Sequence, residues 1–434
     1  MCLRPAQPGA RPFARTFARA VPLLLAMAAA CTGHGGPPST AVSGPRARPG
    51  AHGSPPEPLP PIPPEIAALH RDAIVVDGHA DTAQRLLDER IDFGRRLPDG
   101  QVDLPRLKEG GVDAQFFAAW IGPDFPQGRA FARTDSLLDA VIELTRTNPE
   151  VELARTAADV RAIAARGHVA ALLAIENGQA IESDLEKLRH FARKGVRYMT
   201  LTWMNSHDWA DGSGGEILHY GLTDFGREVV REMERLGIVV DVSHVADATF
   251  WDVMEIATRP VIASHSSTDA VQEHHRNLND QQLRAIARNG GVVGINFYPV
   301  YIDPAYAQAA DSVARAIEFE LDSIGAVHAA DPAAARAARD SLRERAMAGV
   351  PRPPLSRVVD HIVHVAQVAG IDHVGLGSDF DGIGSTPVGL EDASRLPYLT
   401  WELKKRGFSD EDVRKILGEN FLRVLAADEP APGP

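Results

Sequence analysis

The sequence predicts an α/β fold in which eight parallel strands and their connecting helices form a (β/α)8 TIM barrel. Eight short apolar runs alternate with helical patterns along the chain. Each run is continuously apolar, as is typical of strands that are buried on both faces. No linker or second change of composition interrupts residues 65–427, so one domain holds all eight repeats. Eight such units in a chain of this length fit a closed barrel better than a doubly wound sheet.

The predicted strands follow one another at intervals that leave room for a helix between them. In chain order, the apolar runs are residues 74–76, 114–121, 169–175, 196–202, 238–242, 261–263, 291–297 and 373–377. The clearest helical pattern between them is 223–236, where apolar residues recur along one stripe. Gly237 follows this pattern and can cap the end of the helix.

The connection between the last two strands, roughly 300–370, is too long for one helix. Its Ala- and Arg-rich part, 307–347, predicts a helical insertion before the last strand, formed by a pair of helices with one polar face. We interpret this insertion as a solvated surface feature rather than as a lid over a substrate.

The first 31 residues predict an export signal. Four arginines precede a short apolar stretch, 21–30, which ends in small residues. Residues 28–31 resemble the lipobox of bacterial lipoproteins, in which the cysteine is lipidated and becomes the first residue of the mature protein. An ordinary cleaved signal peptide is the alternative. We therefore expect the protein in the cell envelope, anchored to a membrane through Cys31.

The composition on either side of the domain predicts two unfolded segments. Residues 32–64 are rich in Pro, Gly and Ser and poor in apolar side chains, which indicates an extended linker. Residues 428–434 are predicted to form a frayed tail. The folded domain is expected to span 65–427.

Charge and cysteine content exclude several classes of function. Removing residues 1–31, which hold four arginines and no acidic residue, changes the net charge from −13 to −13 − 4 = −17. Such a charge argues against binding nucleic acid. No apolar run reaches the ~18 residues of a membrane-spanning helix. Because the only cysteines are Cys2 and Cys31, any metal in the domain must be held by His and carboxylates, which suits catalytic zinc.

Ionisable residues cluster where the predicted strands end, which is where TIM barrels place their active sites. Each residue alone is more often structural, for instance as a hydrogen-bonded strand end. Together they can hold two zinc ions ~3.5–4 Å apart. The residues are His79 and Asp81 after the first strand, Glu176 after the third, His244 after the fifth, His265 after the sixth and Asp379 after the eighth.

The sequence resembles the membrane dipeptidase (renal dipeptidase) family of the amidohydrolase superfamily, from about residue 74 to 425. The order and number of the shared motifs make this resemblance specific. It implies a barrel of the metallo-dependent hydrolase type. The matching stretches are residues 77–81, 198–202, 241–244, 264–267, 276–277, 296–298 and 377–382.

The resemblance implies a metal-binding role for five residues. His79 and Asp81 would bind one zinc ion. His244 and His265 would bind the other, and Glu176 would bridge the two. Two zinc ions per chain are therefore expected.

The resemblance also implies the reaction. Asp379 matches the acid/base carboxylate of the family, and Arg276 matches the group that holds the free carboxylate of the substrate. Peptidases of the family hydrolyse dipeptides and often accept a D-residue at the C-terminal position. The expected mechanism is attack by a metal-bridged hydroxide, with Asp379 passing the proton to the leaving amine. The expected binding partner is a small dipeptide substrate. A homodimer is the oligomeric state that we consider for the protein.

Two positions depart from the family pattern, and two other functions compete with the expected one. Trp203 stands where the animal enzymes have a substrate-contacting His, and His207 is a candidate substitute. Asn177 replaces a family Gly beside Glu176.

One competing function is another binuclear-zinc amidohydrolase activity, such as deacylation of N-acyl amino acids or opening of a β-lactam or lactone. The other is a lipoprotein that binds peptides or zinc without turnover.

Overall fold

Eight parallel strands close into a barrel in the computed structural model, which describes residues 59–428 except 124, 126, 127 and 329–331. Strand β2 pairs directly with β4, and the ring then runs through β5, β6, β7, β8 and β9 to β1. The predicted (β/α)8 barrel is confirmed. The strands are β1 (Val76–Ala80), β2 (Ala114–Trp120), β3 (Val151–Leu153), β4 (Val169–Glu176), β5 (Val196–Thr200), β6 (Val239–Asp241), β7 (Ile262–Ser266), β8 (Val292–Ile295) and β9 (Val374–Leu376).

Strand β3 was not predicted, and it lies outside the barrel ring. Its three residues pair in parallel with the start of β4, from Val151 opposite Val169 to Leu153 opposite Ala171. Only Val151 is fully buried. So short and half-exposed a strand leaves no apolar run in the sequence.

Helices fill the connections between the strands. The α-helices are Pro64–Asp72, Thr82–Gln84, Leu104–Glu109, Ala130–Thr147, Ala157–Ala164, Leu185–Lys194, Asp224–Leu236, Asp247–Ile256, Asp280–Asn289, Pro299–Ile302, Pro304–Ala316, Glu318–Val327, Pro332–Met347, Ser356–Ala369, Leu396–Lys405, Asp410–Arg414 and Asn420–Ala427. Short 3₁₀ segments occur at Gly178–Ile181, Ile371–His373 and Ala393–Arg395, and π-helical segments at Arg85–Glu89 and Lys415–Glu419. Among the described helices, none combines the length and the apolarity that a membrane crossing requires.

The helix predicted at 223–236 is confirmed and shows how the sequence sets its ends. The Thr223 hydroxyl accepts a hydrogen bond from the Gly226 N–H, which satisfies a free donor of the first turn. Gly237 ends the helix with φ of 71°, a conformation that glycine adopts without strain. Val229 and Met233 are fully buried on the face towards the barrel.

The described residues of the insertion form three helices, so the prediction of a pair was wrong. They are Pro304–Ala316, Glu318–Val327 and Pro332–Met347. The first and third begin with proline, which fits the first turn of a helix, and the chain leaves helical geometry at Ile317 between the first two. Few described side chains of these helices are buried, as expected for a surface insertion.

Most of the predicted terminal segments lie outside the described residues. These are the export signal at 1–31, the linker up to residue 58, and residues 429–434 of the tail. Asp428 is an exception, because it was expected in the frayed tail but is only 1% exposed. Its N–H donates to the Val424 carbonyl, which continues the hydrogen bonding of the last helix. Its carboxylate lies 3.8 Å from the Arg259 guanidinium.

The inside of the barrel contains aromatic side chains below the carboxyl ends of the strands. Phe116 lies between Phe421, from the last helix, and Tyr198, with ring centroids 6.3 and 5.1 Å away. Gly78 leaves the space that Phe421 occupies, because a Cβ at residue 78 would lie 2.6 Å from its ring. Tyr198 is therefore packed from below, and its hydroxyl points to the end of the barrel where His79 lies.

Candidate active site

All seven predicted site residues lie at the carboxyl end of the barrel. Two strands extend further than their apolar runs, so two of the histidines lie within strands rather than after them. Six of the residues are buried and Asp379 is partly buried. His79 lies in β1 and Asp81 follows it, Glu176 ends β4, His244 follows β6, His265 lies in β7, Arg276 lies in the loop after β7, and Asp379 follows β9.

Glu176 is the centre of the cluster, with three imidazoles around its carboxylate. Its Oε1 lies 2.9 Å from Nε2 of His244 and 3.6 Å from Nε2 of His265. Its Oε2 lies 3.3 Å from Nε2 of His79. One carboxylate thus presents each of its two oxygens to a different side of the cluster, the arrangement that a bridging ligand requires.

The remaining carboxylates lie on the His79 side. Asp81 Oδ2 is 3.9 Å from Nε2 of His79. One set of possible ligand atoms within 4.8 Å of one another comes from His79, Asp81 and Asp379, and another from His79, Glu176 and His265. His244 joins the second set through its Nε2, which is 2.8 Å from Nε2 of His265. The structure therefore brings together the residues that the resemblance assigned to two metal ions.

Hydrogen bonds behind two of the histidines select the ring nitrogen that faces the cluster. The Tyr198 hydroxyl donates to the Gly78 carbonyl at 3.0 Å, so it accepts from Nδ1 of His79 at 2.7 Å. The Ser264 hydroxyl donates to the Asp241 carboxylate at 2.6 Å, so it accepts from Nδ1 of His265 at 2.7 Å. Both rings then point Nε2 at Glu176, as metal-ligating histidines do when their other nitrogen is occupied.

The electrostatics of the cluster favour a bound cation. Burial, together with the Glu176 charge, raises the pKa of Asp81 well above its usual range, and burial raises the pKa of Asp379 to about 6. Burial would lower the pKa of His79, but the Glu176 and Asp81 carboxylates raise it to about 10. Like charges held this close resist joint ionisation, and a metal ion between them removes that penalty.

The donor atoms also fit a divalent metal. Nε2 of His79 is buried and forms no hydrogen bond with the described residues. Glu176 Oε2 lies 3.3 Å away, but a buried ring nitrogen that makes no hydrogen bond is costly unless a ligand completes it. Imidazole nitrogens with carboxylate oxygens, and no thiolate, form the donor set of catalytic zinc sites. The residues present therefore fit the metal that the resemblance implies.

We expect Tyr198→Phe to weaken the binding of a divalent metal, measured with zinc, by ~10- to 100-fold, the usual effect of removing a hydrogen-bond partner behind a ligand. The phenylalanine ring keeps the packing on Phe116, while Nδ1 of His79 loses its acceptor. Competition with a chelator of known affinity measures the change. Tyr220→Phe is the matched control, because Tyr220 is 83% exposed. Equal zinc affinities in the Tyr198 variant and the wild type would refute the role of this hydroxyl.

Arg276 is a buried cation beside the cluster. Its Nη2 donates to the His265 carbonyl at 3.0 Å and its Nη1 to the Ser266 hydroxyl at 3.4 Å. The guanidinium carbon lies 5.4 Å from the centre of the Tyr301 ring, and Nε has no hydrogen-bond partner among the described residues. No carboxylate in the described part of the chain forms an ion pair with it. A buried charge of this kind can receive an anionic group of a substrate.

Two of the predicted site residues have unusual backbone geometry. His244 and Asp379 adopt φ of 69° and 63°, which side-chain-bearing residues rarely do. Such strain is typical of functional sites.

Asn177, the residue that replaces a family Gly, also has a positive φ, of 87°. Its side-chain amide donates to the Ile121 carbonyl, and its side-chain oxygen accepts from the Gln179 N–H. This conformation explains why glycine suits the position and how asparagine is accommodated.

The structure does not support His207 as a substitute for the missing family His. Its Nε2 donates to the Leu201 carbonyl at 2.9 Å, and its ring packs 4.5 Å from that of Trp209. Burial lowers the pKa of His207 to about 4, so the ring is neutral. No described contact joins it to a predicted metal ligand. Trp203, in contrast, lies beside His244, with ring centroids 6.2 Å apart.

Three residues of the site had no role assigned from the sequence. Tyr198 and Ser264 orient the histidines, and the Asn296 side-chain amide donates to Asp379 Oδ2 at 2.8 Å. All three belong to stretches that match the family. Their positions in or just after strands were a usable signal, because side chains there can point into the barrel.

Among known protein families, membrane dipeptidase (peptidase family M19) matches this chain over residues 64–431. The fold is also similar to that of several solved structures. The probable dipeptidase PvdM from Pseudomonas aeruginosa is 25% identical with a TM-score of 0.71, covering 84% of this chain and 97% of its own.

Two further solved structures are similar over most of their length. A metallopeptidase from Rhodobacter sphaeroides, bound to a phosphinate mimic of the dipeptide L-Ala-D-Ala, is 28% identical with a TM-score of 0.67. That match covers 82% of this chain and 100% of the other. Dipeptidase AC, a metallopeptidase of family M19, is 27% identical with the same TM-score and covers 83% and 99%.

Proposed function

Because this chain belongs to the membrane dipeptidase family, peptidase family M19, we propose that it hydrolyses dipeptides with the help of two zinc ions. One observation carries the proposal. Three imidazoles and three carboxylates meet at the carboxyl end of the barrel, beside a buried guanidinium that forms no ion pair with a carboxylate of the described residues. The cluster supplies ligands for the metal, and the guanidinium supplies a site for the substrate carboxylate.

The proposed ligands divide around the central carboxylate. His79 and Asp81 would hold one zinc ion, His244 and His265 the other, and Glu176 both. When bound, zinc lowers the pKa of a coordinated water and polarises a carbonyl oxygen. The buried position of the ligands keeps bulk water away, which strengthens every charge interaction at the reacting bond.

Asp379 is the proposed proton carrier. Its Oδ2 accepts a hydrogen bond from the Asn296 side-chain amide at 2.8 Å, which orients the carboxyl group towards the cluster. General acid–base catalysis requires a group that takes a proton from the attacking water and returns it to the leaving amine. Possible ligand atoms of Asp379, His79 and Asp81 lie within 4.8 Å of one another, which supports this role.

Arg276 is proposed to bind the free C-terminal carboxylate, the one negative charge common to all dipeptides. A guanidinium can donate two parallel hydrogen bonds to a carboxylate. The mimic bound to the Rhodobacter sphaeroides enzyme represents L-Ala-D-Ala. This supports the further proposal that dipeptides with a C-terminal D-residue are among the substrates.

We expect the wild type to cleave a free dipeptide ~10- to 100-fold better in kcat/KM than the same dipeptide with a C-terminal amide. A hydrogen-bonded charge pair is worth ~1.5–3 kcal/mol, which corresponds to this factor. Arg276→Lys should reduce kcat/KM for the free dipeptide several-fold or more, because lysine lacks the planar fork. Zinc content should stay unchanged in this variant.

The same assay separates the proposal from its main rival. Equal cleavage of free and amidated dipeptides would rule out the carboxylate clamp and favour a broader amidohydrolase activity. An N-acyl amino acid keeps the carboxylate but lacks the free amine of a dipeptide. Adding one N-acetylated amino acid and one β-lactam to the panel therefore shows whether the site prefers a peptide bond.

We also propose that the protein is exported and attached to a membrane through lipidated Cys31. The support is the charge and apolar pattern of residues 1–31. In cells, Cys31→Ser should move the protein from the membrane fraction to the soluble fraction, with its specific activity unchanged. Fractionation with immunoblotting measures the shift. A variant that stays in the membrane fraction would mean that the protein has another anchor.

A further inference from the structure

Two tryptophan side chains lie at the edge of the metal-ligand cluster. Trp120 is the last residue of β2 and lies directly opposite Glu176 in the parallel pairing with β4. Residues paired in this way direct their side chains to the same face of the sheet. Trp203 follows β5, and its ring meets that of Trp120 edge-on, with centroids 5.3 Å apart and an interplanar angle of 71°.

The position of Trp203 is set by the residues around it. The carbonyl of His244 accepts hydrogen bonds from the Thr202 hydroxyl at 3.2 Å and from the Ser213 N–H at 2.7 Å. The loop that carries Trp203 is thus attached to His244 at two points. The indole ring lies 6.2 Å from the His244 ring, tilted by 38°. The two indole rings therefore lie against each other, one on the residue opposite Glu176 and the other beside His244.

This surface is accessible, unlike that of a core tryptophan. Trp120 and Trp203 are both partly exposed, whereas Trp209 in the same loop region is 1% exposed and belongs to the core. Partly exposed aromatic rings beside a polar catalytic cluster are typical of a surface that binds an apolar part of a ligand.

We propose that Trp120 and Trp203 bind a large apolar or aromatic side chain of the dipeptide, so that this enzyme prefers bulky apolar dipeptides to small ones. The proposal rests on the proposed dipeptidase function. Arg276 donates to the His265 carbonyl, and Nε2 of His265 lies 2.8 Å from Nε2 of His244. A carboxylate at Arg276 therefore brings the dipeptide close to His244 and hence to Trp203. Its two Cα atoms are about 3.8 Å apart, which keeps both side chains near the indoles.

The test compares kcat/KM for the dipeptides Ala-Ala, Phe-Ala and Ala-Phe. We expect the wild type to prefer one of the two phenylalanine peptides to Ala-Ala by at least ~10-fold, since even one methylene in an apolar pocket is worth roughly 10- to 200-fold. Trp203→Ala and Trp120→Ala should each bring this ratio down to about three or less. Trp203→Phe, which keeps an aromatic ring, should retain most of the preference.

The selectivity ratio is the readout, so a general loss of activity in a variant does not affect the conclusion. Trp251→Ala is the matched control, because Trp251 is 41% exposed on the helix Asp247–Ile256 and should leave the ratio unchanged. A wild-type ratio near one, or a ratio that survives both alanine variants, would overturn the aromatic pocket while leaving dipeptide hydrolysis intact. Failure of the wild type to cleave any dipeptide would instead overturn the proposed function and this inference with it.

Discussion

Replacing Glu176 with alanine is expected to lower kcat/KM for dipeptides by roughly 10³-fold or more and to remove most of the bound zinc. The carboxylate offers Oε1 to His244 and Oε2 to His79, so its loss weakens both proposed metal positions at once. Losing the metal removes several kcal/mol of transition-state charge stabilisation, which corresponds to this factor. Elemental analysis after gel filtration gives the zinc content, expected to be about two per chain in the wild type.

Two further variants make this result specific. Asp81→Ala should be less harmful than Glu176→Ala, because Asp81 lies near His79 alone among the predicted histidine ligands. Glu176→Gln keeps the size of the side chain but offers a neutral amide, so it should lose zinc with less effect on packing. Thermal unfolding of the metal-free proteins shows whether each variant is folded. Full zinc content in folded Glu176→Ala would show that this carboxylate is not a bridging ligand.

The Asp379→Asn variant is expected to retain zinc and lose ~10²- to 10⁴-fold in kcat, the usual contribution of a general acid–base group. Asparagine has nearly the same shape, and its amide oxygen can still accept the hydrogen bond from Asn296. It cannot carry a proton between the attacking water and the leaving amine. Steady-state kinetics with elemental analysis of the same preparation measures both quantities.

This experiment also distinguishes a proton carrier from a metal ligand. The distinction matters because possible ligand atoms of Asp379, His79 and Asp81 lie within 4.8 Å of one another. If zinc content falls together with kcat, Asp379 is a metal ligand and another group must carry the proton. Asp381→Asn is the control at the same turn. Asp381 accepts hydrogen bonds from Thr82 and Gln101 and lies 3.6 Å from the Arg85 guanidinium. It belongs to neither set of possible ligand atoms, so this variant should keep its zinc.

The barrel was predictable because strands buried on both faces need continuous apolar sequence. That signal failed where burial was incomplete, as in the short strand β3, and where polar residues extend a strand, as at His79 and His265. The insertion was predicted as helical, but its division into three helices was not. Local breaks such as that at Ile317 depend on packing, and a helical periodicity does not reveal them.

Six of the seven residues of the candidate site were predictable because they lie at or just after the carboxyl ends of strands, and parallel strands bring these ends together. Arg276, in the loop after β7, was assigned by the family resemblance alone. The sequence did not reveal the hydrogen bonds that orient the site histidines. Tyr198 lies on β5 and orients a histidine of β1, a strand with which β5 does not pair, whereas Ser264 directly precedes the histidine that it orients. The hypothesis for His207 rested on spacing alone, and the loop turns its ring towards Trp209 instead.

By itself, the sequence determined the fold class, the family, and which seven side chains meet at one end of the barrel. These depend on the order of apolar runs and motifs along the chain. In a parallel barrel, strands that follow one another in sequence pair side by side, so the residues at their carboxyl ends become neighbours. Only the tertiary structure decided which nitrogen of His79 and His265 faces Glu176, that Arg276 forms no ion pair with a described carboxylate, and that two tryptophans adjoin the cluster. Those features arise from side chains on different strands and loops, whose contacts depend on distances that no linear pattern contains.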